Sequence, residues 1–338
     1  MIDTARLCEL GWVPDPLARF GMRGLVRERL REQAQAGAAG QTAFFASLRS
    51  GPVAIATDAA NAQHYEVPAQ FFATVLGQRL KYSCAWYENA SVDLAQAEEA
   101  MLRLSCARGG VEDGMRLLDL GCGWGSLSLW LAEQYPHAVI TAVSNSSTQR
   151  AYIENQARAR GFSNLSVITA NAIEWDTDVR FDRVLSVEMF EHMRNYEALL
   201  RRVMGWLAPG GRLFTHVFCC REYGYHFAEA DGWMAQNFFT GGIMPREDQF
   251  EQFPLSAQLI ERWWVPGTHY ERTCNDWLAR LDANRDAVLA ICREAYGAAD
   301  ARVWRQRWRM FFMACAELFG LEEGNRFGVV HSLTAAPE

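Results

Sequence analysis

Leu117-Leu118-Asp119-Leu120-Gly121-Cys122-Gly123-Trp124-Gly125-Ser126 is the stretch that decides how this chain reads. A short apolar run closes on an acidic residue and then opens into glycines at positions 121, 123 and 125. Leu127-Ser128-Leu129-Trp130-Leu131-Ala132 follows, with apolar residues at helical spacing. Strand, glycine turn and helix in this order form the local pattern of a nucleotide-binding βα unit, where small residues let a ligand lie against the backbone. The spacing is not the G-x-G-x-x-G of dinucleotide sites, and it lacks the Lys-Ser/Thr ending of a P-loop. Asp119 before the glycines suits a cationic amino acid and a ribose better than a pyrophosphate, which points to S-adenosylmethionine (SAM). A glycine turn with no ligand stays open until the flanks are read.

Downstream, Val139–Val143, Leu165–Thr169, Asp182–Val187 and Arg212–Phe218 read as strands 2 to 5 after a first strand at about 116–120. Helices are expected after Gly125, over about 148–160 before the cap Gly161, and over about 195–207 before Pro209-Gly210-Gly211. This alternation predicts a parallel, doubly wound α/β sheet with right-handed crossovers and ligands beyond the carboxyl ends of the strands. Ser144-Asn145-Ser146-Ser147-Thr148-Gln149 and Glu188-Met189-Phe190-Glu191-His192 fall at such ends.

Upstream, residues 1 to about 50 read as helical, punctuated at Gly37-Ala38-Ala39-Gly40 and Gly51-Pro52. Pro68 precedes a helix expected from Ala69 through Leu76, and Asp93 caps one from Leu94 to about Arg108 with Glu98 and Glu99 on its outer side. Residues 219–265 read as an aromatic insertion, 270–319 as Trp- and Arg-rich helices, and Phe327 to Leu333 as a last strand.

At 338 residues and 50% hydrophobic content the chain can bury a full core. Its net charge of −7 gives no long-range attraction to nucleic acid or anionic lipid. Arg23, Arg27, Arg29 and Arg31 cluster near the start as a solvated helix face. Nine scattered cysteines show no metal spacing and no convincing pair, which fits a reducing compartment. Met1 to Arg6 carries no secretion pattern, and no stretch approaches the ~20 apolar residues of a membrane span. The expectation is a cytoplasmic protein with no transmembrane segment and no nucleic-acid partner; a homodimer stays open.

Four motifs in order carry a resemblance: Tyr82-Ser83-Cys84-Ala85, Leu118 to Gly125, Met189-Phe190-Glu191-His192, and His269-Tyr270. From about His64 onward the chain resembles the SAM-dependent methyltransferases that include cyclopropane-fatty-acyl-phospholipid synthases, mycolic acid methyltransferases and coclaurine-type N-methyltransferases. The resemblance implies a class I, Rossmann-like methyltransferase domain at 81–338. An N-terminal helical extension at 1–80 would precede it, with a lid-like insertion at about 219–310. It further implies that Tyr82 and Ser83 touch the methionine end of SAM and that Gly121 and Gly123 line its backbone-hugging part. Ser144, Asn145 and Gln149 would face the ribose, and Asn171, Ala172, Ile173 and on to Trp175 would flank the adenine. Asp119 and Glu188 complete the expected cofactor contacts. The lipid-modifying branch holds a bicarbonate between positions matching Cys84, Glu191, His216 and Tyr270.

Two departures favour the amine-modifying branch. Lipid enzymes usually read glycine at Glu188, and a His-Tyr-Asp-x-Gly-Asn pattern where this chain has His64-Tyr65-Glu66-Val67-Pro68. In the coclaurine-type branch the Glu and His of Phe-Glu-His form the catalytic dyad, here Glu191 and His192.

Methyl transfer from a sulfonium is an in-line displacement, so alignment supplies much of the acceleration. An amine arrives protonated and needs a base. Glu191 and His192 are expected as the acid–base pair, Glu188 as an attractor of the substrate ammonium or a partner of Arg194, and Trp86, Tyr87, Phe238, Phe239 and Trp264 as an aromatic pocket. Cys84 reads as a small buried residue, and His226 and His269 as structural. The expected function is SAM-dependent N-methylation of a small cyclic or aryl-alkyl amine. The alternative is methylene or methyl transfer to unsaturated acyl lipid with bound bicarbonate.

Overall fold

The structure is a computed structural model that describes residues 4–54, 68–171, 174–227 and 232–337. His64 to Val67, Ala172 and Ile173 lie outside the described residues. Within the described residues the main sheet is built from β1 (Arg116–Leu120), β2 (Val139–Ser144), β3 (Leu165–Thr169), β4 (Phe181–Val187), β5 (Leu207–Cys220), β6 (Gln258–Pro266) and β7 (Phe327–Ala335). Their order is β3-β2-β1-β4-β5-β7-β6; the first five are parallel, while β7 is antiparallel to both of its neighbours. The five parallel strands form the doubly wound α/β sheet expected from the strand–helix alternation.

β1 is buried from Leu117 to Leu120 because helices cover both faces of the sheet, as its near-continuous apolar run requires. β1 lies between β2 and β4, so strand order reverses there and a crevice opens above its carboxyl end. The crossover helices Ser126–Gln134, Ser147–Ala159 and Tyr196–Gly205 stand where the periodicity placed them. Ser146 and Asn195 cap the last two by accepting from Gln149 N and Ala198 N.

Four local expectations change. After a short helix Thr4–Glu9, the helix Asp15–Ser47 is kinked at Gly37 (φ 58°, ψ −152°), where the sequence punctuates it, but Gly40 does not interrupt it. Long-range ion pairs hold it: Arg19 and Arg23 meet Glu317, and Asp15 meets Arg309 at 2.6 Å. Pro209-Gly210-Gly211 does not end before β5 but bulges out of it, since Phe181 pairs with Leu207 and Arg183 already with Arg212. Gln258–Pro266, read as part of the insertion, is the edge strand β6; its mixed exposure gives no alternation, and pairing to β7 makes it a strand.

Glu98 is the fourth. It is fully buried rather than on the outer side of the helix Leu94–Gly109. Its carboxylate accepts from Gly77 N at 3.1 Å and Arg79 N at 2.8 Å, tying the preceding turn to the helix, and burial pushes its pKa up to about 7. Truncation leaves two amides without an acceptor and a void, so Glu98→Ala should lower unfolding free energy by about 3 kcal/mol. Urea titration monitored by tryptophan fluorescence checks this, and an unchanged midpoint would refute the structural role.

Candidate active site

A cavity lies over the carboxyl ends of β1 and β4. Of the expected cofactor residues, Tyr82, Ser83, Asp119, Gly121, Gly123 and Gln149 line it. Asp119 is buried and accepts from Ser128 Oγ at 2.5 Å; burial raises its pKa to about 6. Gly121 takes φ 84°, and a Cβ there would meet Met189 Cγ at 2.7 Å. Gly123 takes φ 52° with no protein atom within 4 Å of a Cβ, so its backbone faces open space. Ser144 is buried beneath the site and bonds Gln149 Oε1 at 2.6 Å, positioning the Gln149 amide that lines the cavity. Asn145 and Asn171 are outside the lining residues; Asn171 instead accepts from Glu174 N and Trp175 N through its backbone. The donors, the carboxylate and the open glycine backbone together fit a cofactor carrying a cationic amino acid and a ribose.

The same cavity reaches Glu188, His192 and Tyr270. Glu188 follows β4 with φ 48°, a left-handed backbone that costs a non-glycine residue on the order of 1 kcal/mol. Its carboxylate is held from three sides: Tyr270 O–H donates at 2.6 Å, Cys84 N–H at 3.1 Å, and His216 Nε2 lies at 3.3 Å. Only 11% of the side chain stays exposed, and burial pushes its pKa up to about 7 against the pull of Lys81 and Tyr270. Arg194 is not its partner; that guanidinium binds Gly241 O and His226.

Glu191 and His192 do not stand together in the cavity. They are consecutive on the short turn Phe190–His192, and their side chains diverge. His192 lines the cavity and stacks on Phe239 with centroids 4.9 Å apart. Glu191 is fully buried behind it; Oε1 accepts from Phe218 N at 2.8 Å, and Oε2 has no hydrogen-bond partner among the described residues. Burial, and then the neighbouring Glu188 charge, push its pKa well up, which favours the protonated acid.

The aromatic wall also differs from the expected one. Of the five rings anticipated, Phe239 lines the cavity, joined by Phe218, Phe227, Trp277, Phe311 and Phe319. Phe238 stacks on Phe311 in the core, Trp86 stacks on His269, Tyr87 bonds Asp276, and Trp264 packs under Arg221. The helices Gly267–Ala283 and Ala301–Phe319 bring Trp277, Phe311 and Phe319 to this wall, which linear spacing does not reveal. Lys81 was also missed: it is buried, lines the cavity, and donates to Cys84 O at 2.8 Å and to Ser83 Oγ. A lysine beside Tyr-Ser has no sequence signal that separates it from a solvated one.

Comparisons with known proteins follow the same line. The family described as mycolic acid cyclopropane synthetase matches residues 55–327. The chain belongs to that family. A curated (S)-coclaurine N-methyltransferase from Thalictrum flavum subsp. glaucum is 34% identical, covering 98% of this chain and 95% of its own. A crystal structure of coclaurine N-methyltransferase bound to N-methylheliamine and SAH superposes with TM-score 0.93 at 33% identity, over 98% of each chain. A cyclopropane synthase from Mycobacterium tuberculosis shares the fold (TM-score 0.70, 23% identity, 84% of this chain and 100% of its own). This member of the family is therefore a SAM-dependent methyltransferase, similar over 98% of its length to N-methylating relatives.

The bicarbonate of the family's lipid-modifying branch does not fit here. Cys84, His216 and Tyr270 do gather around one carboxylate, that of Glu188, which accepts from Cys84 N–H and Tyr270 O–H and lies 3.3 Å from His216 Nε2. Burial pushes the Cys84 thiol well up, and it donates to Ala85 O, so it is no nucleophile.

Proposed function

We propose that this chain transfers the SAM methyl group to the nitrogen of a small cyclic or aryl-alkyl amine, with Glu188 as ammonium anchor and base. The observation that carries the reading is the Glu188 carboxylate, locked by three donors and set into an aromatic wall beside the glycine turn. SAM, when bound, supplies an electrophilic methyl on a sulfonium. Glu188 draws the protonated amine in, and Phe218, Phe227 and Phe239 offer ring faces to the cation. The ammonium proton passes to a Glu188 oxygen, freeing the nitrogen lone pair. As the N–C bond forms, the S–C pair stays on sulfur and leaves with the thioether. His192, held flat against Phe239, orients the acceptor at the cavity wall. An alkene acceptor has no charge for this carboxylate to attract. The N-methylated ligand of the structural neighbour supports the same reading.

Incubation with methyl-labelled SAM and a panel of cyclic amines and unsaturated phospholipids tests it. Label on amine nitrogen is expected; label in acyl chains alone would overturn it. Glu191 and Glu188 separate in this scheme. Glu191→Gln should keep kcat within about threefold of wild type, because a buried side chain outside the cavity lining is replaced by an amide of the same size. A hundredfold loss in kcat with unchanged SAM affinity would return the base role to Glu191.

A further inference from the structure

A file of polar side chains leaves the site through the sheet. His216 on β5 and His331 on β7 are register partners, and both imidazoles are fully buried. Arg108, in the last turn of the Leu94–Gly109 helix, has Nη1 2.8 Å from His331 Nδ1. His331 Nε2 lies 2.8 Å from His216 Nδ1, and His216 Nε2 lies 3.3 Å from Glu188 Oε1. Arg108 rests over the Trp263 ring at 5.2 Å, half-buried at the far end of the file.

A guanidinium only donates. His331 Nδ1 must therefore be a bare acceptor, which puts the proton of its neutral ring on Nε2. That N–H points at His216 Nδ1, which in turn must be bare, so the His216 proton sits on Nε2 and points at Glu188. Each link forces the next. We propose that Arg108 is a positioning residue for methyl transfer, fixing the tautomers of His331 and His216 so that Glu188 always meets an N–H. The inference rests on Glu188 being the base.

Two consequences follow. Glu188 receives only donors from the protein, from Cys84, Tyr270 and His216, which favours its charged form in a buried place. The file also cannot carry the substrate proton away, since His216 Nε2 is already protonated and Arg108 has no acceptor; the proton leaves through the cavity. Burial, with Lys81 and Arg108 nearby, holds both histidines well below the ordinary imidazole range, so neither becomes a cation that would break the order. The other ionisable groups facing Glu188 are Lys81 and Cys84 before the core, Glu191 on the turn after β4, and Tyr270 and Cys274 on the Gly267–Ala283 helix.

Nitrogen-15 spectra of histidine-labelled protein without ligands test the tautomers directly, whatever the enzyme methylates. His216 and His331, assigned from His216→Gln and His331→Gln variants, are expected as Nε2–H rings that stay neutral where an ordinary imidazole takes up its proton. A Nδ1–H ring or an imidazolium at either position overturns the proposal. Arg108→Met should mix the tautomers and move the acid limb of kcat/KM for the amine upward by about one pH unit, roughly a tenfold loss below it, with a smaller loss at alkaline pH. Arg108→Lys, still donor-only, should restore the profile. A uniform loss at all pH values in Arg108→Met, or an unmoved limb, would mean that Arg108 only holds the helix in place.

Discussion

Replacing Glu188 by glutamine should lower kcat by about a hundredfold or more and leave SAM affinity within about threefold of wild type. The amide keeps the size of the side chain but carries no charge to draw an ammonium and takes no proton from it. Single-turnover rates with saturating labelled SAM, alongside calorimetric SAM binding, measure the two halves separately. Turnover within threefold of wild type would move the base elsewhere. Because Glu188 must be ionised, and burial places its pKa at about 7, kcat/KM for the amine should fall as pH drops below about 7. The stability term has the opposite sense. A carboxyl raised from 4.5 to about 7 in the fold contributes stability that is full below 4.5 and lost as pH rises through 7, and Glu188→Gln removes that slope. Glu188→Gly makes the point from the backbone side: at φ 48° glycine is unstrained, which offsets part of the cost of the donors left without the carboxylate, and the variant should not turn over.

Gly123→Val should abolish measurable SAM binding, a loss of about a hundredfold or more in Kd. A β-branched side chain at φ 52° is strained, and its methyl groups would project into the open space that the glycine backbone faces. No protein atom lies within 4 Å of the added Cβ, so the fold itself has little to lose there. Gly121 is the poorer probe, since a Cβ at that position strikes Met189 and damages the core as well as the site. Calorimetry with SAH, paired with a thermal melt showing a folded protein, checks the claim; retained binding would sink the reading of the glycine turn.

Much of this was legible one stretch at a time. Leu117–Ser126 specifies strand, turn and helix because apolar run, glycines and helical periodicity are local properties, and the structure places β1 and the Ser126–Gln134 helix on them. Asp93, Pro68 and the strand at Phe327 were equally readable, since caps, turns and short apolar runs act over a few residues. The resemblance carried the cofactor and the reaction class, and it named Glu188, His192 and Tyr270, which line the cavity.

What lay beyond the sequence is which side chain faces which neighbour. Glu188, Glu191 and His192 sit within five positions, and only the left-handed backbone at Glu188 and the short turn after it send Glu188 and His192 to the cavity and Glu191 into the interior. Glu98 and Lys81 look like surface charges until distant segments close over them. Arg108, His216, Glu188 and His331 share no motif, yet antiparallel pairing of β5 with β7 aligns the two histidines, and the helix Leu94–Gly109 supplies the arginine. Local patterning determined the sheet and the glycine turn over it; burial and long-range pairing, which set charge states and directions of hydrogen bonds, decided which carboxylate lines the cavity.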